Sequence, residues 1–363
     1  MEGMALTILI LSLLVLLHEL GHFLLAKLFG IKVEEFGIGL PPKALTLGKR
    51  GETEYTLNWL PIGGFVRLTG EAEDPTLWQK LSAKIRGRAF FAKPAWQRVL
   101  VLLAGVTMNI LVGILLFSVI YAHLGVPQYA GSQVVIASVA KGSPADLAEL
   151  KTGDVVTGLA EGVVPKTADE FVAYVGAHKG QLTTFYIASM RADGTVATSA
   201  KQVRIIPREN PPAGQGSLGV TVESLPIVTY KHLPWYQAPF YGTVEGLKEA
   251  YGWTAMFVRI LSHPKELLAN VGGPVKVVQV GVQAAAEGWV AIFRFAAIIS
   301  LNLGIFNLLP VPALDGGRVM MVILEKFVGR KRVAKIEGYV NAVGMALLIL
   351  LLVGVTVKDV FFS

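Results

Sequence analysis

MALTILILSLLVLLHELGHFLLAKLF, residues Met4–Phe29, is the stretch on which the reading of this chain turns. A bilayer crossing takes about 20 apolar residues, and this stretch exceeds that. A secretory leader would show a basic start, a shorter apolar core and a small-residue cleavage site. None is present, so a retained membrane helix is expected. On a helix His18 and His22 stand one turn apart on one face, and both imidazoles can reach one Zn²⁺. Glu19 lies beside that face, placed to take a proton from water and pass it to a leaving group. An unpaired acid so deep in hydrocarbon costs about 3 kcal/mol, which argues for a function. The blander reading is a polar cluster that glues helices together.

The rest of the chain agrees with a membrane setting. Of its 363 residues, 53% are hydrophobic and 16% charged. Soluble domains carry about 25% charge. Three further stretches are long and apolar enough to span: Val99 to Leu124, Trp289 to Val311 and Tyr339 to Val357. Without cysteine there is no disulfide scaffold, Cys-ligated zinc, iron–sulfur cluster or thiol catalysis. The 33 basic against 26 acidic residues mostly flank apolar segments, which speaks against a nucleic-acid partner. Residues 30–98 hold 11 basic and 7 acidic side chains, 318–338 hold 6 and 2, and 125–230 hold 8 and 9. The positive-inside rule therefore puts 30–98 and 318–338 in the cytoplasm. The middle segment and both termini fall outside it.

These signals divide the chain as follows. Residues 1–30 and 99–124 are the first two spans. Residues 31–70 alternate in places and are punctuated at Pro41-Pro42, Gly48 to Gly51 and Pro61 to Gly64, as expected of a small β-hairpin sheet at the cytoplasmic face. Residues 71–98 read as an amphipathic interfacial segment, with Arg86, Arg88 and Lys93 near anionic headgroups. Residues 125–228 have the size and strand signals of one soluble module. Residues 229–288 are mixed, with breaks at His263-Pro264 and Gly272-Gly273-Pro274. The third span and its sequel occupy 289–317, a basic loop 318–338, and the fourth span 339–363.

A catalytic zinc takes three protein ligands and keeps a fourth position open. His123 lies at the far end of the second span, His178 in the module, and His232 and His263 between the module and the third span. Asp315 is the best third ligand. It stands in Asn307-Leu308-Leu309-Pro310-Val311-Pro312-Ala313-Leu314-Asp315-Gly316-Gly317, where two prolines break the helix and two glycines let the chain turn. The rival role for Asp315 is to cap the helix beginning near Arg318. The amides of Asn302 and Asn307 can hold a substrate backbone or oxyanion, or satisfy the broken helix. Asn109 reads as packing glue beside small neighbours.

On these motifs the chain resembles the site-2 proteases, intramembrane zinc metalloproteases of M50 type, and within them the bacterial regulator of sigma-E protease group. The resemblance rests on His18-Glu19-Leu20-Gly21-His22, on Leu314-Asp315-Gly316-Gly317, and on four spans with the module between the second and third. It implies a polytopic α-helical membrane protein with four transmembrane helices, a membrane-associated β-hairpin sheet and an inserted α+β PDZ domain. It implies that His18, His22 and Asp315 bind one Zn²⁺, that Glu19 is the acid and base, and that Asn302 and Asn307 bind substrate. Pro61-Ile62-Gly63-Gly64-Phe65 resembles the region that holds substrate as an added strand. Ser217-Leu218-Gly219-Val220 resembles a PDZ peptide-binding loop.

The implied substrates are single-pass membrane proteins, anti-sigma factors or signal-peptide remnants, cut inside the bacterial cytoplasmic membrane with the PDZ domain outside. The PDZ domain would act as a size filter or as a sensor of a trimmed substrate end. The sequence departs from the family in having room for one PDZ domain, where the sigma-E type has two, and in carrying Val106 where Ala-Gly-Pro is usual. Two other classes remain as rivals. A metal transporter would tolerate Glu19→Gln, and a catalytically inactive PDZ scaffold would not need the intact motif.

Overall fold

The computed structural model describes residues 2–71, 82–190, 196–197, 199–212, 214–232, 234–262 and 272–361. In chain order the longer elements are α1 (Glu2–Leu28), β1 (Val33–Arg50), β2 (Thr53–Leu68), α2 (Ala95–Leu124), β3 (Val126–Val139), β4 (Asp154–Leu159), α3 (Ala168–Ala177), β5 (Thr183–Ser189), β6 (Lys201–Ile205), β7 (Val220–Lys231), α4 (Ala238–Ser262), α5 (Pro274–Glu287), α6 (Trp289–Leu308), α7 (Asp315–Val328) and α8 (Arg330–Phe361). They form two compact units, Met1–His123 with Pro234–Ser363, and Leu124–Leu233.

In the first unit, four helices among the described residues are long and apolar enough to cross a membrane: α1, α2, α6 and most of α8. Their outward faces carry exposed leucines, among them Leu9, Leu13, Leu111, Leu115, Leu347 and Leu350, which suits a lipid solvent. Inward faces meet through small residues. A Cβ on Gly21 of α1 would meet the Ala104 carbonyl carbon of α2 at 2.7 Å, and one on Gly113 of α2 would meet Leu301 of α6 at 2.6 Å. Backbones come this close only where side chains are missing. α4 approaches α2 in the same way, with Gly242 against Ser118 and Gly246 against Ile114.

The hairpin is more elaborate than expected. β1 and β2 pair antiparallel, but each is bent double. Val33 to Ile38 register against Leu68 to Gly64 on one side and, from Glu35 to Ile38, against Glu54 to Leu57 on the other; Lys43 to Arg50 register against Asn58 to Thr53. The punctuation at Pro41-Pro42 and at Pro61 to Gly64 marks bends inside continuous strands. Leu45, Leu47, Trp59, Leu60 and Ile62 project from this sheet exposed.

Other expectations change. Of the segment 71–98, residues 72–81 lie outside the described residues. The remainder holds one helical turn, Ala83–Arg86, a 3-10 turn, Phe90–Ala92, and the first residues of α2. Arg88 grips Glu52 at the hairpin tip with two bonds of 2.6 and 2.5 Å. The expected loop 318–338 is helical on both sides of Gly329, whose φ of +90° breaks α7 from α8. The buried Met321 and Val322 of α7 and Val333 and Ala334 of α8 supply the apolar faces that hold both helices down. The break at His263-Pro264 lies outside the described residues, whereas Gly273-Pro274 starts α5.

The second unit is an α+β module. Its five strands lie in the order β6-β5-β4-β3-β7, and the pairs β3–β4, β3–β7, β4–β5 and β5–β6 are all antiparallel. Val134, Ile136, Phe171, Phe185 and Leu218 form the core under α3. Thr167 caps α3 by accepting from Glu170 N, and Ser143 caps a helical turn with Pro144 at its first position. Val126 and Lys231 are register partners, so the module's two ends leave it side by side.

Candidate metal centre

One turn of α1 carries His18 and His22, and both are buried, at 6% and 8% exposure. Their Nε2 atoms stand 3.1 Å apart. Asp315 opens α7, and its Oδ2 lies 3.0 Å from His18 Nε2 and 3.3 Å from His22 Nε2. Asp315 does not serve as a cap. The N-cap position of α7 is Leu314, and no side chain caps there. The loop feeding Asp315 is held at Ala313, which adopts φ +72° and donates its N–H to Asn341 Oδ1 of α8 at 3.1 Å. Gly316 and Gly317, expected to provide a turn, instead provide close approach. A Cβ on either would strike the backbone of Leu308 or Val311.

The three converging atoms fit a zinc ion. Ligand atoms around a tetrahedral zinc stand about 3.3 Å from one another. His22 Nδ1 donates to the Val101 carbonyl at 2.8 Å, so in the neutral ring its Nε2 lone pair faces a carboxylate oxygen. Lone pairs facing each other in an apolar interior call for a cation between them. The space is also shaped for the ligands. A Cβ on Gly105 of α2 would lie 2.5 Å from His22 Nε2 and 2.7 Å from His18 Nε2.

Glu19 sits beside this triangle. One ligand-type atom from each of His18, Glu19 and His22 falls within 4.8 Å of the others. Its Oε2 accepts the Val66 N–H of β2 at 3.1 Å, so the sheet holds the acid from the side. Two ion pairs lie between elements of the first unit that carry or support the triangle. Arg318 of α7 donates to Glu71 at 2.5 Å, and Arg98 of α2 pairs with Glu325 of α7.

The other expected site residues divide. Gly63, at φ +73°, and Gly64 let the β2 bend lie against α1: a Cβ there would meet Val15 Cγ1 at 3.2 Å and Leu16 Cδ1 at 2.9 Å, respectively. Asn307 donates from Nδ2 to Leu303 O of its own helix, and Asn302 has a buried Oδ1 without a partner. Neither asparagine has a described hydrogen bond to the triangle. In the module, the carbonyls of Ser217, Leu218 and Gly219 accept from Arg208, Ala145 and Ala140. His123 packs its ring on Trp289, and His178 stacks on Tyr174. His263 lies outside the described residues. Sequence reasoning missed the Val66 N–H, because a backbone donor leaves no residue signature. It also read Asn109 as glue, although Asn109 Nδ2 lies 3.0 Å from His18 Nδ1.

The model of Peptidase family M50 matches residues 6–351. Two clostridial proteins, each named as a zinc metalloprotease, are similar over most of their length. The one from Clostridium acetobutylicum is 31% identical across 99% of this chain and 98% of its own. The one from Clostridium perfringens is 34% identical across 97% and 96%. Zinc metalloprotease RasP of Geobacillus kaustophilus is 28% identical across 99% and 98%.

Proposed function

The chain belongs to peptidase family M50 and is a zinc metallopeptidase, and from that premise we propose that it cuts transmembrane segments inside the bilayer with a zinc held by His18, His22 and Asp315. One observation carries the reading: two histidines of a membrane-length helix and an aspartate 297 residues beyond His18 meet at 3.0 to 3.3 Å, buried, with an acid alongside.

When bound, zinc supplies a Lewis acid for the peptide carbonyl and for water. Glu19 moves the proton: its carboxylate takes it from the attacking water and delivers it to the leaving amine nitrogen. The Val66 N–H holds that carboxylate in place. A substrate helix must unwind to expose a peptide bond, and the bend of β2 beside α1, around Gly63 and Gly64, is where an extended strand is received. Asn302, with its unpartnered Oδ1, and Asn307 take the substrate backbone or the oxyanion.

The module 125–228 is a PDZ domain outside the cytoplasm, on the same side as both termini, with Ser217, Leu218 and Gly219 as its peptide loop. The substrates are single-pass proteins of the bacterial cytoplasmic membrane already trimmed outside, of the anti-sigma or signal-peptide-remnant type. A tagged single-pass substrate lacking its outer domain, co-expressed with the chain, tests the reading. Wild type cleaves it, a membrane-permeant zinc chelator stops cleavage, and Glu19→Gln lowers the rate about 10²- to 10⁴-fold while keeping zinc. Equal cleavage by wild type and Glu19→Gln would overturn the mechanism.

A further inference from the structure

Asn109 is fully buried, and its position is fixed from both sides. Its carbonyl accepts Ser300 Oγ–H at 2.8 Å, and Gly304 of α6 leaves room for its Cβ. Its side chain has one described partner, the Nδ1 of His18, 3.0 Å from Nδ2, and its Oδ1 has none. A buried amide whose oxygen has no partner is a poor choice for mere packing between apolar helices.

His22 shows what the site requires. Its Nδ1–H is held by the Val101 carbonyl, which can only accept, so in the neutral ring the Nε2 lone pair faces the centre. Val101 and Asn109 lie eight residues apart on α2, a helix that supplies no ligand of its own. Among the described residues no backbone carbonyl bonds His18 Nδ1, and the amide of Asn109 stands there instead. The oxygen and nitrogen of an amide are nearly isosteric and are assigned from their partners. With Nδ2 toward the ring, Nδ1 accepts and the proton sits on Nε2, where it donates to Asp315. With Oδ1 toward the ring, Nδ1–H donates and Nε2 is free for the metal.

We propose that Asn109 is the positioning residue for His18: its carboxamide oxygen takes the Nδ1–H and holds the Nε2 lone pair on the zinc. This rests on the zinc reading of His18, His22 and Asp315. An amide also has a donor for the opposite tautomer, so the ring is held in place both with and without the ion. α2 thus orients both ligand histidines.

The test measures zinc affinity of the purified full-length chain in detergent, by competition with a chromophoric chelator, beside thermal unfolding of the metal-free protein. Asn109→Leu keeps the shape and removes the acceptor. It weakens zinc binding 10- to 100-fold, the range for loss of such partners, with metal-free unfolding unchanged or raised. Asn109→Asp, an acceptor of the same shape, keeps zinc within a few-fold of wild type. Zinc held by Asn109→Leu as tightly as by wild type would overturn the proposal, as would equal loss in both variants. Should Asn109→Leu fail to fold, Asn109→Ala against Asn109→Asp makes the same comparison. If wild type and His22→Ala hold zinc equally poorly, the metal reading itself falls, and this inference with it.

Discussion

At the residue scale, the centre is made by what is missing as much as by what is present. Gly105 gives up its side chain so that two Nε2 atoms can occupy the space, at 2.5 and 2.7 Å from where a Cβ would be. Gly105→Ala forces the ligand rings apart. We expect zinc affinity to fall at least tenfold, read by chelator competition. Val66 gives a second prediction. Val66→Pro removes the N–H that holds Glu19 Oε2. It should lower kcat about tenfold or more with zinc content unchanged, as expected when an interaction that orients the acid is lost. The histidines were legible because helical spacing alone puts them on one face, and Glu19 because it lies directly beside that face. Asp315 was legible as the one acid in a broken apolar segment. Gly105 was not, because its role exists only where α2 crosses α1.

At the element scale, the hairpin is fastened at its tip. Arg88 holds Glu52 with two bonds, and Lys27 Nζ lies 3.5 Å from the same carboxylate. The bonds from Arg88 are the largest influence keeping the Glu52 carboxyl below its ordinary range. A carboxylate so held binds fewer protons folded than unfolded. Its stabilisation is therefore present above the unfolded value near 4.3 and is lost as pH falls through and below it. The pair is partly exposed, which limits it to about 1 kcal/mol. Glu52→Gln should thus speed amide exchange in residues 43–57 about fivefold at pH 7, and the difference should shrink as pH falls below about 4.3 and vanish only below the lowered folded-state value. Pro41-Pro42 and Pro61 to Gly64 were readable as interruptions. That the strands continue through them and double back was not, since register depends on partners far along the chain.

At the scale of the whole molecule, composition and four apolar stretches were enough for the membrane class, and the family match extends from residue 6 to 351. The basic stretch 318–338 was read as a loop because charge masked its helical face, where Met321, Val322, Val333 and Ala334 are buried. The module enters and leaves through paired strands at Val126 and Lys231. Replacing residues 126–231 with a short Gly/Ser linker should leave zinc content at the wild-type level, measured by metal analysis of the purified protein. Loss of zinc would show that the first unit depends on the second. One feature of the centre reaches beyond geometry: His18 and Asp315 meet across 297 positions of chain. At roughly 5–20 residues per second of synthesis, the histidines of the proposed ligand set wait about 15–60 seconds in the membrane before Asp315 is made. On that ligand set the nascent chain is harmless to its neighbours throughout the interval, because its cutting edge is completed only once the segment carrying Asp315 has been made.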